Sequence, residues 1–366
     1  MADTETAPAA APRAIHMQRE NFSFTGTVRE YFGIWIVNVL LTIVTLGIYS
    51  AWAKVRRQRY FYGNTHLAGA TFDYHARPKQ ILIGRILVVV LLVAYNLLAT
   101  FAPLASLLFA VAFLFVLPWL VMRGMRFSAR VTSYRNVRFD FTGGYWGAFR
   151  AYILGTALAY GTLGILLPLA SRWMWTYTLG NLRYGDRPIT SDPRLGKLYG
   201  QWWLPAFMIV GTLLAIFVWL TVVGYAMNDQ LNQIDLQNAA PPLHLIFLLY
   251  IVLIPLGILF AVASLFYQAG TRNVALNATI IDGRHVMASS IGRRRYAWIS
   301  ITNLIATLAT LGFARPWAAI RMASYLATVT ALDTTGSLDE YVGTVRDEGG
   351  AFGSEYMDLE GFDLGF

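Results

Sequence analysis

Residues 45–52 read Thr-Leu-Gly-Ile-Tyr-Ser-Ala-Trp, and residues 54–59 read Lys-Val-Arg-Arg-Gln-Arg. Gly47 can end a helix in the left-handed conformation, and Tyr49 and Trp52 suit the headgroup level of a membrane. The basic side chains that follow suit an anionic leaflet; they are Lys54, Arg56, Arg57 and Arg59. The stretch predicts an anchor at a membrane interface, and a site that binds a lipid headgroup or an anionic solute is the alternative.

This pattern recurs twice along the chain. At an offset of 117, Phe22-Ser-Phe-Thr-Gly26 matches Phe139-Asp-Phe-Thr-Gly143, and Thr45-Leu-Gly-Ile48 matches Thr162-Leu-Gly-Ile165. A weaker copy at an offset of 265 contains Thr310-Leu-Gly312 and places Arg321 at the position of Arg56. A constant offset over such a length indicates duplication. We expect three repeats, at 22–65, 139–182 and 287–328, with helix breaks at Gly47, Gly164 and Gly312.

Composition excludes an ordinary water-soluble enzyme. Of the 366 residues, 56% are hydrophobic and 13% are charged, whereas soluble proteins average about 45–50% and about 25%. A nearly uncharged segment of roughly 20 residues is long enough to cross a ~30 Å hydrocarbon core. Four segments qualify: 81–101, 103–122, 204–226 and 243–266. The absence of cysteine excludes disulfides, thiolate metal sites and cysteine nucleophiles.

Loop charges predict the topology, because Lys and Arg are retained on the cytoplasmic side in short loops. Basic clusters follow the first repeat and recur at 123–138, 172–197 and 284–295, whereas 227–242 contains two aspartates and no Lys or Arg. Seven full crossings would place the cluster from Lys54 to Lys79 outside. We therefore expect four full transmembrane helices and three re-entrant or interfacial helical hairpins, with both termini in the cytoplasm. Seven full transmembrane helices are the alternative.

The expected fold class is mainly α, a polytopic membrane protein with small cytoplasmic β-hairpins. Asp282-Gly283 between two β-prone runs is a strong hairpin signal. We expect a disordered Ala/Pro-rich segment at 1–20, a single membrane domain at 21–330 with apolar pairs at 81–122 and 204–266, and an acidic, disordered tail at 332–366. Within that tail, residues 333–366 hold nine acidic residues and one arginine, a net charge of −8.

Polar residues inside the apolar segments are few. Asn38 and Asn303 occupy equivalent repeat positions and are expected to bond across the bundle or to the freed backbone at the breaks. Asn96 also lies within a span, whereas Arg85 and Arg150 lie near cytoplasmic ends and are expected to snorkel. The spans contain no acidic residue, which weakens an ion-coupled carrier. Neither a metal-ligand spacing nor a catalytic motif is present, so no catalytic, metal or cofactor site is predicted.

The stretches 45–52 and 54–65, together with Phe22–Gly26 and Asn273–Thr279, closely resemble the signature of the YjgN-like bacterial inner-membrane proteins, a family of uncharacterised function. The resemblance covers about 20–330. It implies a multi-pass location in the bacterial cytoplasmic membrane and supplies no catalytic residues. It also suggests a membrane-associated metallopeptidase as a partner.

Two functional hypotheses remain open. The first is a non-enzymatic permease or channel-like pathway for an anionic or lipid-like solute, with Asn38, Asn303 or Arg85 lining a water-accessible cavity. The second is a structural or regulatory membrane subunit that docks a partner protein. Membrane lipids are expected partners of either, and nucleic acid is not, because the basic clusters adjoin apolar spans.

Overall fold

The computed structural model describes residues 17–226 and 243–336 of the chain. The outside turn expected at 227–242 lies outside the described residues, as do most of the segment 1–20 and of the acidic tail. Within the described part, residues 18–20 belong to the first strand and residues 332–334 belong to the last.

The described residues contain one antiparallel sheet of eleven short strands. The strands are β1 (Gln18–Asn21), β2 (Ser23–Phe24), β3 (Thr65–Leu67), β4 (Ala70–Tyr74), β5 (Thr132–Tyr134), β6 (Val137–Phe141), β7 (Leu182–Tyr184), β8 (Arg187–Ser191), β9 (Thr279–Ile281), β10 (His285–Ser289) and β11 (Thr330–Thr334). The hairpin expected around Asp282-Gly283 is the β9–β10 hairpin, and both residues have positive φ there. The sheet extends the expected small hairpins into a single structure.

The sheet closes on itself. Its two end strands, β1 and β2, are halves of one segment interrupted only at Phe22. Gln18 pairs with Thr334 of β11, and Ser23 pairs with His66 of β3. The strands therefore form a ring. Because every pairing is antiparallel, connections alternate between the two ends of this ring.

The helices are α1 (Val28–Val44), α2 (Ser50–Gly63), α3 (Pro78–Phe101), α4 (Pro103–Arg130), α5 (Tyr145–Ala148), α6 (Gly155–Gly161), α7 (Leu167–Gly180), α8 (Leu195–Ala226), α9 (Leu243–Leu276), α10 (Arg293–Ala309) and α11 (Arg315–Thr328). A π-helical segment, Phe149–Leu154, joins α5 to α6. Each helical pair is inserted between two paired strands, so the chain forms five β-α-α-β units. The three expected repeats correspond to the first, third and fifth of these units.

All five helical pairs leave the same end of the ring. The tight turns β3–β4, β5–β6, β7–β8 and β9–β10 lie at the opposite end, together with the start of β1 and the end of β11. The second helix of each unit contacts the first helix of the next, and α11 contacts α1, which completes a circle.

Among the described residues, four helices are long and apolar enough to cross a membrane, as many as the full spans that the sequence predicts. They are α3, α4 and, within α8 and α9, the stretches Leu195–Val222 and Leu253–Leu276. These spans belong to the second and fourth units, and shorter hairpins belong to the other three.

The inside of the ring is packed with apolar and aromatic side chains. Leu67 of β3, Tyr184 of β7 and Leu332 of β11 belong to one buried cluster, although their strands are spread around the ring. The Tyr134 hydroxyl donates to the Leu67 carbonyl at 2.6 Å, and the Tyr184 hydroxyl donates to the Tyr134 carbonyl at 3.0 Å. The ring is a filled core in the described residues rather than a pore.

Candidate membrane-interface site

The three short hairpins turn with the same backbone geometry. Each first helix ends at a Thr-Leu-Gly sequence in which leucine and glycine both have positive φ. The glycine values are +92° at Gly47, +86° at Gly164 and +97° at Gly312. The amide of each glycine donates to the carbonyl five residues earlier, as in a Schellman motif.

The threonine of each turn also starts the second helix. Its hydroxyl accepts a hydrogen bond from the amide four residues later, at 2.9 Å for Thr45, 3.1 Å for Thr162 and 2.8 Å for Thr310. The threonine therefore caps the end of one helix and the start of the next, which explains why the motif recurs in all three short hairpins.

The tips of these hairpins expose large apolar side chains. Leu46, Leu163 and Leu311 are 94%, 94% and 91% exposed. Val44 and Tyr160 are also exposed beside them. Apolar residues concentrated at an exposed turn indicate contact with lipid or with another protein.

Asn38 and Asn303 hold their own hairpins together. The Asn38 amide nitrogen lies 3.5 Å from the Ala53 carbonyl, and the Asn303 amide nitrogen lies 3.0 Å from the Ala318 carbonyl. Both side chains are buried between the two helices of a hairpin. In the third unit Gly155 takes the same place, and a Cβ there would contact Ala170. These contacts lie within a hairpin, so the bonds that the sequence predicted across the bundle are not seen for either asparagine among the described residues.

A tyrosine fastens the base of each short hairpin, a role that the sequence did not single out. The Tyr60 hydroxyl accepts from the Thr27 amide at 2.8 Å, and the Tyr325 hydroxyl accepts from the Gly292 amide at 3.1 Å. The Tyr177 hydroxyl donates to the Gly144 carbonyl at 3.1 Å. Burial raises the pKa of Tyr60, and its hydrogen bond to Glu30 adds to the rise, so the hydroxyl stays protonated.

Aromatic residues at the start of α2, including Tyr49 just before it, are followed along the helix by basic residues that lie farther from the first tip. The rings of Tyr49 and Trp52 stack with centroids 6.2 Å apart. The Arg59 Nε donates to the Tyr74 carbonyl at 3.2 Å. Arg56 and Arg57 are exposed, and Lys54 is half-buried.

The fifth unit carries its own basic and aromatic groove. Arg321 donates to the Thr302 hydroxyl at 2.6 Å and to the Asn303 Oδ1 at 3.0 Å, and its guanidinium lies 5.0 Å from the centroid of the Trp317 ring. The Arg295 guanidinium lies 5.3 Å from the centroid of the Tyr325 ring. Both arginines line a groove of about 320 Å³ between α10 and α11.

The remaining candidate residues lie apart from this groove. Arg85 is half-buried on α3, and Asn96 is exposed on the same helix, where its amide donates to the Leu92 carbonyl at 2.8 Å. The Arg150 guanidinium lies 5.8 Å from the Trp173 ring centroid. The histidines are separate: His66 bonds Thr25 at 3.0 Å, and His75 bonds Ser133 at 2.7 Å. No group of acidic and histidine side chains that could hold a metal ion is found among the described residues.

The sequence contains a further repeat, beyond the three already described. At an offset of 67, the end of α2 and the strands after it match the end of α4 and its strands, without a gap. Arg59 donates from Nε to the Tyr74 carbonyl, and its counterpart Arg126 donates from Nε to the Phe141 carbonyl at 3.3 Å. The second unit, which contains α3 and α4, is therefore built like the first unit at the point where its second helix meets the strands. The matched pairs include Arg56 and Arg123, Thr65 and Thr132, Phe72 and Phe139, and Asp73 and Asp140.

Comparisons with known proteins agree with this architecture. The chain is 26% identical over 359 residues to the inner membrane protein YjgN of Salmonella typhimurium, covering 86% of this chain and 88% of that protein. It is 34% identical over 148 residues to the protein of the same name in Escherichia coli O157:H7, covering 39% of this chain and 37% of that protein. No solved structure matches. With four apolar helices, the chain is a multi-pass inner-membrane protein.

Residues 19–359 match the model of one family. The family resemblance found in the 45–65 stretch is thus confirmed over most of the chain. The chain belongs to the family described as bacterial protein of unknown function (DUF898), whose relatives here are named inner membrane protein YjgN.

Proposed function

We propose that this protein is a non-enzymatic membrane platform. Its four spans anchor it, its three short hairpins dip into the cytoplasmic leaflet, and its ring of strands stands against that leaflet to dock a partner protein. The observation that carries this proposal is that all five helical pairs leave the same end of the ring. A membrane that holds the two spanning pairs at that end also meets the three short tips.

The depth of the short hairpins follows from the match between α2 and α4. Arg59 and Arg126 make the same backbone contact, so Arg56 and Arg123 stand at the same level above the ring. The apolar part of α4 ends just before Arg123, which marks the membrane surface. Beyond Arg56, residues 50–55 add ~9 Å of helix. The turn at residues 45–49 lies beyond this helix, and the helix itself is well short of ~15 Å, half of a ~30 Å hydrocarbon core, so we place the tip within one leaflet.

The partner-docking part of the proposal rests on the opposite end of the ring. This end presents four tight turns, among them Arg135-Asn136 and Gly185-Asp186, and it faces away from the spans. Loops held on a rigid scaffold are frequent sites of binding. A membrane-associated metallopeptidase, suggested by the family resemblance, is the partner to test first.

We favour this platform over a solute pathway for two reasons. The ring is filled in the described residues, and the asparagines that a pathway would need at its wall bind backbone within their own hairpins. A permease remains the second hypothesis.

Topology is the direct test, and a chain without cysteine suits it. Single cysteines are introduced at Asn136 in a turn, at Ala102 between α3 and α4, and at Leu163 at a tip. A membrane-impermeant maleimide should label position 136 only from the cytoplasmic side and position 102 only from the periplasmic side. Position 163 should be protected from both sides. Labelling of position 163 from the periplasm would overturn the proposal in favour of a full crossing.

Docking is tested separately with a photo-crosslinking residue at Asp186 in intact cells. We expect a covalent adduct, identified by mass spectrometry, that contains a membrane-associated protein. The matched control places the same residue at Ala102, on the other side of the membrane. Identical adducts at both positions, or none at Asp186, would contradict docking at the turns.

A further inference from the structure

We infer that the groove between α10 and α11 is a binding site for the phosphate of an anionic phospholipid headgroup. The inference rests on the proposed function, since it requires the fifth hairpin to lie at the cytoplasmic leaflet. It adds a specific ligand class and the two side chains that recognise it, Arg295 and Arg321.

The first argument is charge. Between Asp282 and Asp333 the sequence has no Asp or Glu but carries six arginines, at 284, 293–295, 315 and 321. Within residues 17–226 and 243–336, no carboxylate forms an ion pair with Arg295 or Arg321. Two guanidinium groups thus share one groove, and a phosphate offers the oxygen acceptors that match them.

The second argument is that both guanidinium groups are held in place. Arg295 lies over Tyr325 and Arg321 over Trp317, and two hydrogen bonds fix one end of Arg321. A positioned side chain loses less conformational freedom when it binds. The Ser324 hydroxyl also lines the groove and supplies a further donor.

The third argument is the level of the groove relative to the membrane. Arg321 occupies the repeat position of Arg56, which stands level with Arg123 at the membrane surface. Trp298, 64% exposed, lines the same groove, and exposed Trp side chains favour the headgroup region. Arg315 lies nearer the tip, and its exposed side chain can extend back toward this level. A phospholipid in the leaflet therefore meets the groove with its headgroup.

The fourth argument comes from the other repeats. In the first unit the position of Arg295 is held by Glu30, whose carboxylate bonds the Tyr60 hydroxyl at 3.0 Å. In the third unit Gly147 and Trp173 occupy the positions of Arg295 and Arg321. The paired arginines therefore belong to the fifth unit alone among the three short hairpins. The substitution R295E reproduces an arrangement that the same fold already accommodates.

The test measures lipid binding to the full-length protein. The protein is reconstituted in nanodiscs of phosphatidylcholine containing a titrated fraction of phosphatidylglycerol, and bound lipid is counted by native mass spectrometry. We expect R295E and R321Q each to weaken phosphatidylglycerol retention by about tenfold. R321K, which keeps the charge, should retain most of the binding. R294Q, which removes an exposed arginine of the same helix, is the matched control and should bind as the unsubstituted protein does.

The outcomes separate the inference from the proposed function. If the unsubstituted protein shows no preference for phosphatidylglycerol, the lipid-binding inference is overturned, whereas the platform is judged by the cysteine labelling described above. If it shows the preference and R295E and R321Q keep it in full, only the groove assignment is overturned. Inorganic phosphate and glycerol 3-phosphate are titrated as competitors. Displacement of the lipid by inorganic phosphate at equal concentration would assign the groove to free anions instead of a lipid.

Discussion

The Tyr60 hydroxyl accepts a hydrogen bond from the Thr27 amide at 2.8 Å and donates one to the Glu30 carboxylate at 3.0 Å, and these contacts tie the end of α2 to the start of α1. Removing the hydroxyl in Y60F leaves that amide without its acceptor. We expect a loss of about 1 kcal/mol of unfolding free energy, read as a lower midpoint of thermal unfolding in detergent. Y225F is the control, because Tyr225 is almost fully exposed on α8, and its midpoint should not change.

The turn at Gly47 requires a backbone conformation that other residues avoid. Its φ is +92°, so G47A forces a side chain into the left-handed region at a cost of about 1 kcal/mol. Gly63 is helical, and a Cβ there meets no neighbouring atom. G63A should therefore leave the thermal midpoint unchanged or raise it. Equal thermal midpoints for G47A and G63A would mean that a side chain at position 47 does not strain the Thr-Leu-Gly turn.

The sequence predicts the parts that depend on local pattern. Four nearly uncharged segments predict four candidate spans, because length and hydropathy suffice to identify a helix that could cross a membrane. Glycine in a Thr-Leu-Gly motif predicts a helix break, because few residues adopt positive φ. Both inferences need only neighbouring residues.

The closed ring could not be predicted in the same way. Its strands are only two to five residues long, too short to show a clear alternation. Their pairing joins residues such as Gln18 and Thr334 that are far apart in the sequence. The offset of 67 between Arg59 and Arg126 would have revealed a further unit, but an insertion in the spanning helices obscures the match upstream.

The sequence predicts only one of the two arginines that line the groove of the fifth unit. Arg321 is predicted as a site residue because it repeats Arg56, whereas Arg295 has no arginine counterpart in the other repeats. Its place in the groove depends on the packing of α10 against α11, which brings it over the Tyr325 ring. Repetition therefore detects what the units share and misses what distinguishes one of them.

An ion pair between Arg130 and Asp140 fixes the base of α4 to β6. The atoms are 2.8 Å apart, and the side chains are only 18% and 8% exposed. D140N should cost about 3 kcal/mol, because the arginine keeps its charge in a poorly hydrated place. The pair Arg172–Asp192 is 38% and 76% exposed, so D192N should cost less than about 1 kcal/mol. The midpoints of thermal unfolding in detergent compare D140N with D192N. Similar losses of stability would contradict the argument that the buried ion pair costs more to break than the exposed one.

Spin labels measure how far the short hairpins enter the bilayer. Labels at Leu46, Leu163 and Leu311 should all report a depth on the order of 10 Å, since ~9 Å of helix lies beyond the level of Arg56. A label at Val90, halfway along α3, should lie near the midplane and sets the reference. Oxygen and nickel-chelate accessibility in liposomes gives each depth. A label at Leu163 as deep as that at Val90 would contradict the single-leaflet depth of the third unit, whose helical segment 145–180 is as long as the segments 28–63 and 293–328 of the other two hairpins.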